Sequence, residues 1–142
     1  ALSTLSLLDG LIDIYMPDMK YADEPTARRL SGVADYPAIN RAAVAEMHRQ
    51  VGDLEMDDRG IAWRGLLVRH LVLPNGLAGT REIVSWLAQE VSRDTYINIM
   101  DQYRPCYRAY EHPDLARRTT RVEWEQALRW AREAGLWRLD KG

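Results

Sequence analysis

The sequence predicts an α/β fold: the parallel-stranded half of a (β/α) TIM-like barrel with an added β-hairpin. Three short apolar runs, residues 12–16, 66–73 and 96–100, each end in polar or charged residues. A helical pattern separates each run from the next, which is typical of parallel βα units. Ligands bind at the carboxyl ends of the strands in such sheets, so the polar residues after the runs are candidates for a binding site.

Length and composition restrict the class of protein. The 142 residues fit one domain, 1–142, and are too few for an eight-unit barrel, which needs roughly 250 residues. The net charge of −2 favours neither nucleic acid nor an anionic membrane as a partner. Cys106 is the only cysteine, so we expect no internal disulfide and no thiolate metal cage. Because no membrane span or secretory signal is recognisable, we expect a cytoplasmic protein with no membrane partner.

The first predicted elements are a helix and a strand. Leucines recur at helical spacing in an amphipathic helix that begins at Ala1 and is ended by Gly10. A chain that begins inside a helix suggests part of a longer protein. The strand over residues 12–16 follows, and it leads into the polar segment 17–20.

Two helices come next. A short helix is expected over residues 24–30, before Gly32, and a longer one over residues 36–50, before Gly52. Apolar residues at positions four apart predict the buried stripe of the longer helix. This stripe consists of Ile39, Ala43 and Met47.

A hairpin and the most apolar strand occupy the middle of the chain. Residues 53–65 alternate weakly around a turn-forming Asp-Asp-Arg-Gly sequence, which favours a β-hairpin. Residues 66–73 are apolar except for Arg69 and His70. Near-continuous apolarity is typical of a central parallel strand that is covered on both faces.

The last third of the chain predicts two helices and two strands. Thr80 is expected to cap the first helix, and a strand follows at residues 96–100. Thr120 and Glu123 have the spacing of a capping box at the start of the second helix. Residues 136–139 are expected to form a last short strand, the fourth parallel strand of the sheet.

The segment after the first strand contains two candidate site residues. Asp18 and Lys20 are two positions apart, so on an extended backbone they project to the same side. The carboxylate could hold a cation, and the ammonium could bind a carboxylate or phosphate group of a ligand. The alternative is an exposed ion pair, which would contribute little to stability.

The two later strands add further candidates. Arg69 and His70 are adjacent, so they face opposite sides of the sheet; we expect Arg69 in the lumen and His70 in the core. Asn98 is expected in or near the lumen, and Gln102 and Tyr103 continue onto its mouth. These three could equally well cap the strand end.

Four segments together carry a resemblance to a known family. They are IDIYMPDMKY, MHRQVGDL, RGLLVRHLVLPNGLAGT and YINIMDQYRP. The chain resembles the C-terminal half of radical S-adenosylmethionine proteins related to pyruvate formate-lyase activating enzyme, which are oxidoreductases. The resemblance implies a partial barrel that holds a 4Fe–4S cluster and S-adenosylmethionine at its open end. Its substrate would be a glycyl-radical protein or a small molecule.

The resemblance also implies roles for individual residues. Asp18-Met19-Lys20 is similar to the family's Asp-x-Lys segment, in which the aspartate helps to hold a monovalent cation and the lysine contacts the carboxylate of S-adenosylmethionine. Arg69 resembles a barrel arginine near that ligand and the substrate. Tyr103 takes the place of a histidine near the ribose, and Gln102 or Tyr103 is expected to substitute for it.

One feature of the family is missing from this chain. The Cys-x3-Cys-x2-Cys loop that binds the cluster does not occur, and Cys106 alone cannot replace it. The chain alone is therefore expected to be inactive and to pair with the missing N-terminal half or with a second copy. Two alternatives remain open, namely a non-catalytic binding module and a fragment of another (β/α)-barrel enzyme that acts on an anionic substrate.

Overall fold

A mixed sheet of four strands forms the centre of the structure, a computed structural model that describes residues 2–140. The strands are β1 (Ile14–Tyr15), β2 (Glu55–Met56), β3 (Ala62–Leu71) and β4 (Tyr96–Met100). β1 and β4 run parallel to the central β3, and β2 pairs with the start of β3 in antiparallel orientation. The α/β class is confirmed.

Five α-helices accompany the sheet within the described residues. They are α1 (Leu2–Leu7), α2 (Glu24–Ser31), α3 (Tyr36–Val51), α4 (Thr80–Trp86) and α5 (Arg121–Ala134). α4 continues as a π-helical turn over Leu87–Val91. Side chains of α3, α4 and α5 pack with those of β3 and β4 in the main hydrophobic core. None of the helices in the described part of the chain is long and apolar enough to cross a membrane.

The first strand is shorter than its apolar run. β1 covers two residues instead of 12–16, because pairing with β3 is interrupted near Pro17. Proline has no N–H to donate, so Pro17 contributes only its carbonyl, which accepts from the Arg69 N–H at 2.9 Å. Pairing resumes for one residue, where Asp18 faces Arg69. The expected start of the preceding helix, Ala1, lies outside the described residues.

The two helices after β1 are confirmed, with one correction. Gly32 ends α2 in the left-handed region, and α3 ends at Val51, immediately before Gly52. The predicted buried stripe of α3 is wrong at Ile39, which is 46% exposed, whereas Val44 is fully buried. Ala43 and Met47 are half-buried. Periodicity predicts that one face of the helix is buried, but packing against the sheet decides which of two adjacent faces it is.

The hairpin is confirmed, and it continues directly into β3. The Asp57 carboxylate stabilises the turn by accepting from the N–H groups of Arg59 and Ile61. β3 is covered on one face only, which corrects the expectation of two covered faces. The buried face carries Leu66, Val68 and His70, and the half-exposed face carries Leu67, Arg69 and Leu71.

The last third of the chain contains both confirmed and corrected elements. β4 spans the expected residues, and Thr120 and Glu123 form both hydrogen bonds of a capping box. Thr80 does not cap α4: it is the first helical residue, and its hydroxyl bonds to His70. The fourth parallel strand is reduced to a single bridge between Ile97 and Leu139.

Candidate ligand-binding site

A cleft of about 320 Å³ lies at the carboxyl ends of the parallel strands. Its volume falls at the lower end of the range of small-molecule sites, roughly 300–1,000 Å³. The cleft brings together five of the seven candidate site residues. Its lining consists of Asp18, Met19, Lys20, Tyr21, Arg69, Leu71, Leu73, Met100 and Tyr103.

Asp18 and Arg69 form an ion pair in this cleft. Arg69 Nε donates to Asp18 Oδ1 at 2.7 Å, and the side chains of Arg69 and Asp18 are 39% and 42% exposed, respectively. The partner that an arginine on an apolar strand requires is therefore Asp18, on the neighbouring segment. Because both side chains remain accessible to water, the pair stabilises the fold by no more than about 1 kcal/mol.

Two side chains of α3 hold the segment that carries Asp18 and Lys20. Asn40 Nδ2 and the Tyr36 hydroxyl donate to Asp18 O at 2.9 and 3.2 Å, and Lys20 N donates to the Tyr36 hydroxyl at 3.0 Å. Burial raises the pKa of Tyr36, so its hydroxyl keeps its proton. Sequence reasoning missed both residues, although their i, i+4 spacing places them on one helix face.

Lys20 contributes a positive charge that no other described residue neutralises. Its side chain is exposed, and within residues 2–140 its ammonium has no ion-pair or hydrogen-bond partner. Arg69, in contrast, already shares its charge with Asp18. The cleft therefore offers one free cation for an anionic group of a ligand.

Met19 and His70 anchor the same segment from inside the protein. Met19 is only 2% exposed and belongs to the hydrophobic core. Its carbonyl accepts from His70 Nδ1 at 2.6 Å, and Thr80 Oγ1 lies 2.8 Å from His70 Nε2. Burial lowers the pKa of His70, which favours the neutral ring. The prediction that His70 is a core histidine is confirmed.

Apolar and aromatic side chains form another part of the cleft lining, the apolar wall. Tyr103 lies there with Leu71, Leu73 and Met100, and its hydroxyl donates to Leu115 O at 2.9 Å. Burial raises the pKa of Tyr103, so the hydroxyl remains a neutral donor at physiological pH.

The two remaining candidates lie outside the cleft lining. Asn98 pairs with Arg69 in the sheet register and shares its face, but it does not line the cleft. Gln102 is exposed in the loop after β4 and is not part of the lining either. Alternation places Asn98 on the correct face of β4, but it does not say how far along the strand the cleft extends.

The described residues do not fit an iron–sulfur cluster. Within residues 2–140 there is no group of three or more His, Cys, Asp or Glu side chains that could hold a metal ion. Cys106 is exposed, and the sequence has no second cysteine. A 4Fe–4S cluster requires several thiolate ligands, so they would have to come from other polypeptide.

Comparisons with known proteins give one relative and no family. No family model matches the chain, and no solved structure matches it. The chain is 34% identical over 133 residues to the protein named "Uncharacterized protein MJ0674" from Methanocaldococcus jannaschii. The match covers 93% of this chain and 35% of the relative, so the chain spans about a third of the length of the relative.

Proposed function

We propose that this chain is the C-terminal part of a radical S-adenosylmethionine enzyme related to pyruvate formate-lyase activating enzyme. In this proposal the cleft binds S-adenosylmethionine and contacts the substrate, either a glycyl-radical protein or a small molecule. The observation that carries the proposal is the free ammonium of Lys20 in the same cleft as an apolar wall, at the carboxyl ends of parallel strands.

The chemistry of the lining suits the two ends of S-adenosylmethionine. Lys20 provides a charge-assisted hydrogen bond to the methionine carboxylate. Tyr103, Leu71 and Met100 provide an apolar surface for the adenosine. S-adenosylmethionine supplies the radical chemistry of this enzyme class, and the present chain contributes binding and orientation.

The sheet supports the half-barrel that the proposal requires. β1, β3 and β4 are parallel, and their buried face packs against helices, as in one half of a (β/α) barrel. The opposite face is half-exposed and includes the Arg69–Asp18 pair. We propose that the N-terminal part of the same protein, or a second copy of the chain, covers this face and supplies the cluster ligands.

The test measures binding of S-adenosylmethionine by calorimetry. Lys20→Gln should weaken binding roughly 10- to 150-fold, because a hydrogen bond to a charged group contributes about 1.5–3 kcal/mol. Arg59→Gln is the matched control, since it removes one exposed positive charge in the hairpin turn, at the other end of β3. Circular dichroism verifies that both variants fold.

A second ligand identifies the group that Lys20 binds. Decarboxylated S-adenosylmethionine should bind wild type and Lys20→Gln equally, because the carboxylate that distinguishes them is absent. Equal affinity of both proteins for intact S-adenosylmethionine would contradict the proposal.

Cluster binding is tested on a longer protein with upstream sequence. A Cys-x3-Cys-x2-Cys run is expected there, together with visible absorbance after anaerobic reconstitution.

A second candidate is binding of another carboxylate or phosphate ligand without iron. The lack of cluster ligands in this chain favours it, and it covers both a non-catalytic module and another (β/α)-barrel enzyme. Inorganic phosphate would then compete for the cleft through Lys20, and adenosine alone would not bind. Under the first proposal, adenosine retains part of the affinity through the apolar wall.

A further inference from the structure

The ring of His70 joins the cleft to helix α4. His70 is fully buried, and it lies on the face of β3 opposite to Arg69. One ring nitrogen contacts the Met19 carbonyl at 2.6 Å, and the other contacts the Thr80 hydroxyl at 2.8 Å. A buried apolar side chain could fill the same volume without any polar partner, so packing alone does not account for a histidine here.

The partners of the ring define its tautomer. A carbonyl oxygen only accepts hydrogen bonds, so Nδ1 must carry the proton that is donated to Met19 O. In the neutral ring Nε2 is then an acceptor, and the Thr80 hydroxyl donates to it. The other tautomer would bring two acceptors together at 2.6 Å. The Met19 carbonyl therefore fixes the tautomer, and the Thr80 hydroxyl satisfies the remaining ring nitrogen.

The Met19 carbonyl is the point at which the segment leaves the sheet. Met19 N donates to Arg69 O at 2.9 Å, and pairing with β3 covers only one residue here. The carbonyl of Met19 then turns to the His70 ring, and the next N–H, that of Lys20, donates to the Tyr36 hydroxyl. The direction in which Asp18 and Lys20 project depends on this turn.

We infer that His70 is a positioning residue of the cleft: its Nδ1–H holds the Met19 carbonyl and thereby orients Asp18 and Lys20 towards the ligand. The inference rests on the proposed function for its effect on S-adenosylmethionine binding, whereas the effect on the segment itself is independent of any ligand. Thr80 acts at one remove, because its hydrogen bond to Nε2 holds the ring in the position from which Nδ1–H reaches Met19 O.

The test compares three variants of the full chain. His70→Leu removes the donor, His70→Asn keeps an N–H close to the position of Nδ1, and Thr95→Val is a matched control. Thr95 is also fully buried, and its hydroxyl bonds locally to Ser92 O, away from the cleft lining. Amide hydrogen exchange at Met19 and Lys20 is measured by NMR, together with the affinity for S-adenosylmethionine.

The expected result separates positioning from stability. His70→Leu should speed exchange at Met19 and Lys20 by about tenfold or more beyond the change at core amides, and weaken S-adenosylmethionine binding by about tenfold. His70→Asn should retain most of the slow exchange and most of the affinity of wild type. Thr95→Val should lower the melting temperature without a selective change at these two amides.

Two outcomes would overturn the inference. One is that His70→Leu changes the exchange rates of the Met19 and Lys20 amides only as much as those of core amides, as Thr95→Val does. The other, which holds even where His70→Leu does not fold, is ring ¹⁵N shifts of wild type that show the proton on Nε2. If wild type does not bind S-adenosylmethionine, the proposed function is rejected. The hydrogen-exchange result then decides the role of His70 by itself.

Discussion

Gly79 immediately precedes helix α4, and the segment after Lys20 lies close to Gly79. Its φ of +67° is in the left-handed region, and an added Cβ would lie 2.4 Å from the Cβ of Ala22. Ala22 N also donates to Ala78 O at 3.0 Å, so the two backbones are tied together at this point. Gly76 has nearly the same φ, +68°, but no atom lies within 4 Å of its added Cβ. The two glycines therefore form a matched pair for substitution by alanine.

The magnitudes follow from these two environments. A left-handed alanine costs about 1–2 kcal/mol, and replacing glycine recovers about 0.4–1 kcal/mol from the unfolded chain, so Gly76→Ala should destabilise by about 0–1.6 kcal/mol. Gly79→Ala has the same backbone cost and also has to displace Ala22. Overpacking of this kind adds typically about 1–3 kcal/mol, so we expect a total of about 1–5 kcal/mol.

Urea unfolding of both variants measures the difference. The unfolding midpoint should fall for Gly79→Ala well below that of Gly76→Ala, with the m-value unchanged. Amide shifts of Lys20 and Ala22 should move in Gly79→Ala alone, because the substitution displaces the segment that borders the cleft. Equal destabilisation of the two variants would refute the close approach of Ala22 to α4.

Two further predictions concern charged side chains. Asp18→Asn should change the free energy of unfolding by less than about 1 kcal/mol, because the ion pair with Arg69 is accessible to water; a larger loss in urea unfolding would mean that the pair is stronger than its exposure indicates. The pKa of Glu123 is lowered from an ordinary value of 4.5 to about 2, first by the hydrogen bond from Arg117 and then by the N–H groups of Thr120 and Asn75. The stabilisation of the fold by ionised Glu123 is therefore complete above pH 4.5 and is lost as the pH falls towards 2. The difference in free energy of unfolding between wild type and Glu123→Gln should shrink on acidification. A difference that stays constant with pH would contradict this.

Elements with signals in neighbouring residues were the most predictable part of the fold. The capping box at Thr120 and Glu123 is complete in the structure, and β4 has the predicted bounds. The hairpin is also present where its turn sequence predicted it. These features depend on hydrogen bonds or dihedral angles within a few residues, so the local sequence contains the necessary information.

Elements that depend on a distant partner were predicted less well. Thr80 has the residue type of a helix cap, but its hydroxyl bonds to His70, a residue on another element. Leu139 lies in an apolar run, yet only one residue of this run pairs with β4. Of the candidate site residues, Asn98 in β4 and Gln102 in the loop after it lie outside the cleft lining, although Met100 and Tyr103 on either side of Gln102 are part of it.

Local patterns in the chain specify the order of the elements and the strand ends at which polar residues gather. Alternation along β3 was enough to place Arg69 and His70 on opposite faces, since successive side chains of a strand point to opposite sides. The partners of these side chains depend on packing. Arg69 pairs with Asp18, and His70 bonds to Met19 and Thr80. Tyr36 and Asn40 hold the segment that carries Lys20. The physical reason is that periodicity specifies the side of an element on which a residue lies, whereas a hydrogen bond between residues far apart in sequence depends on how the elements pack.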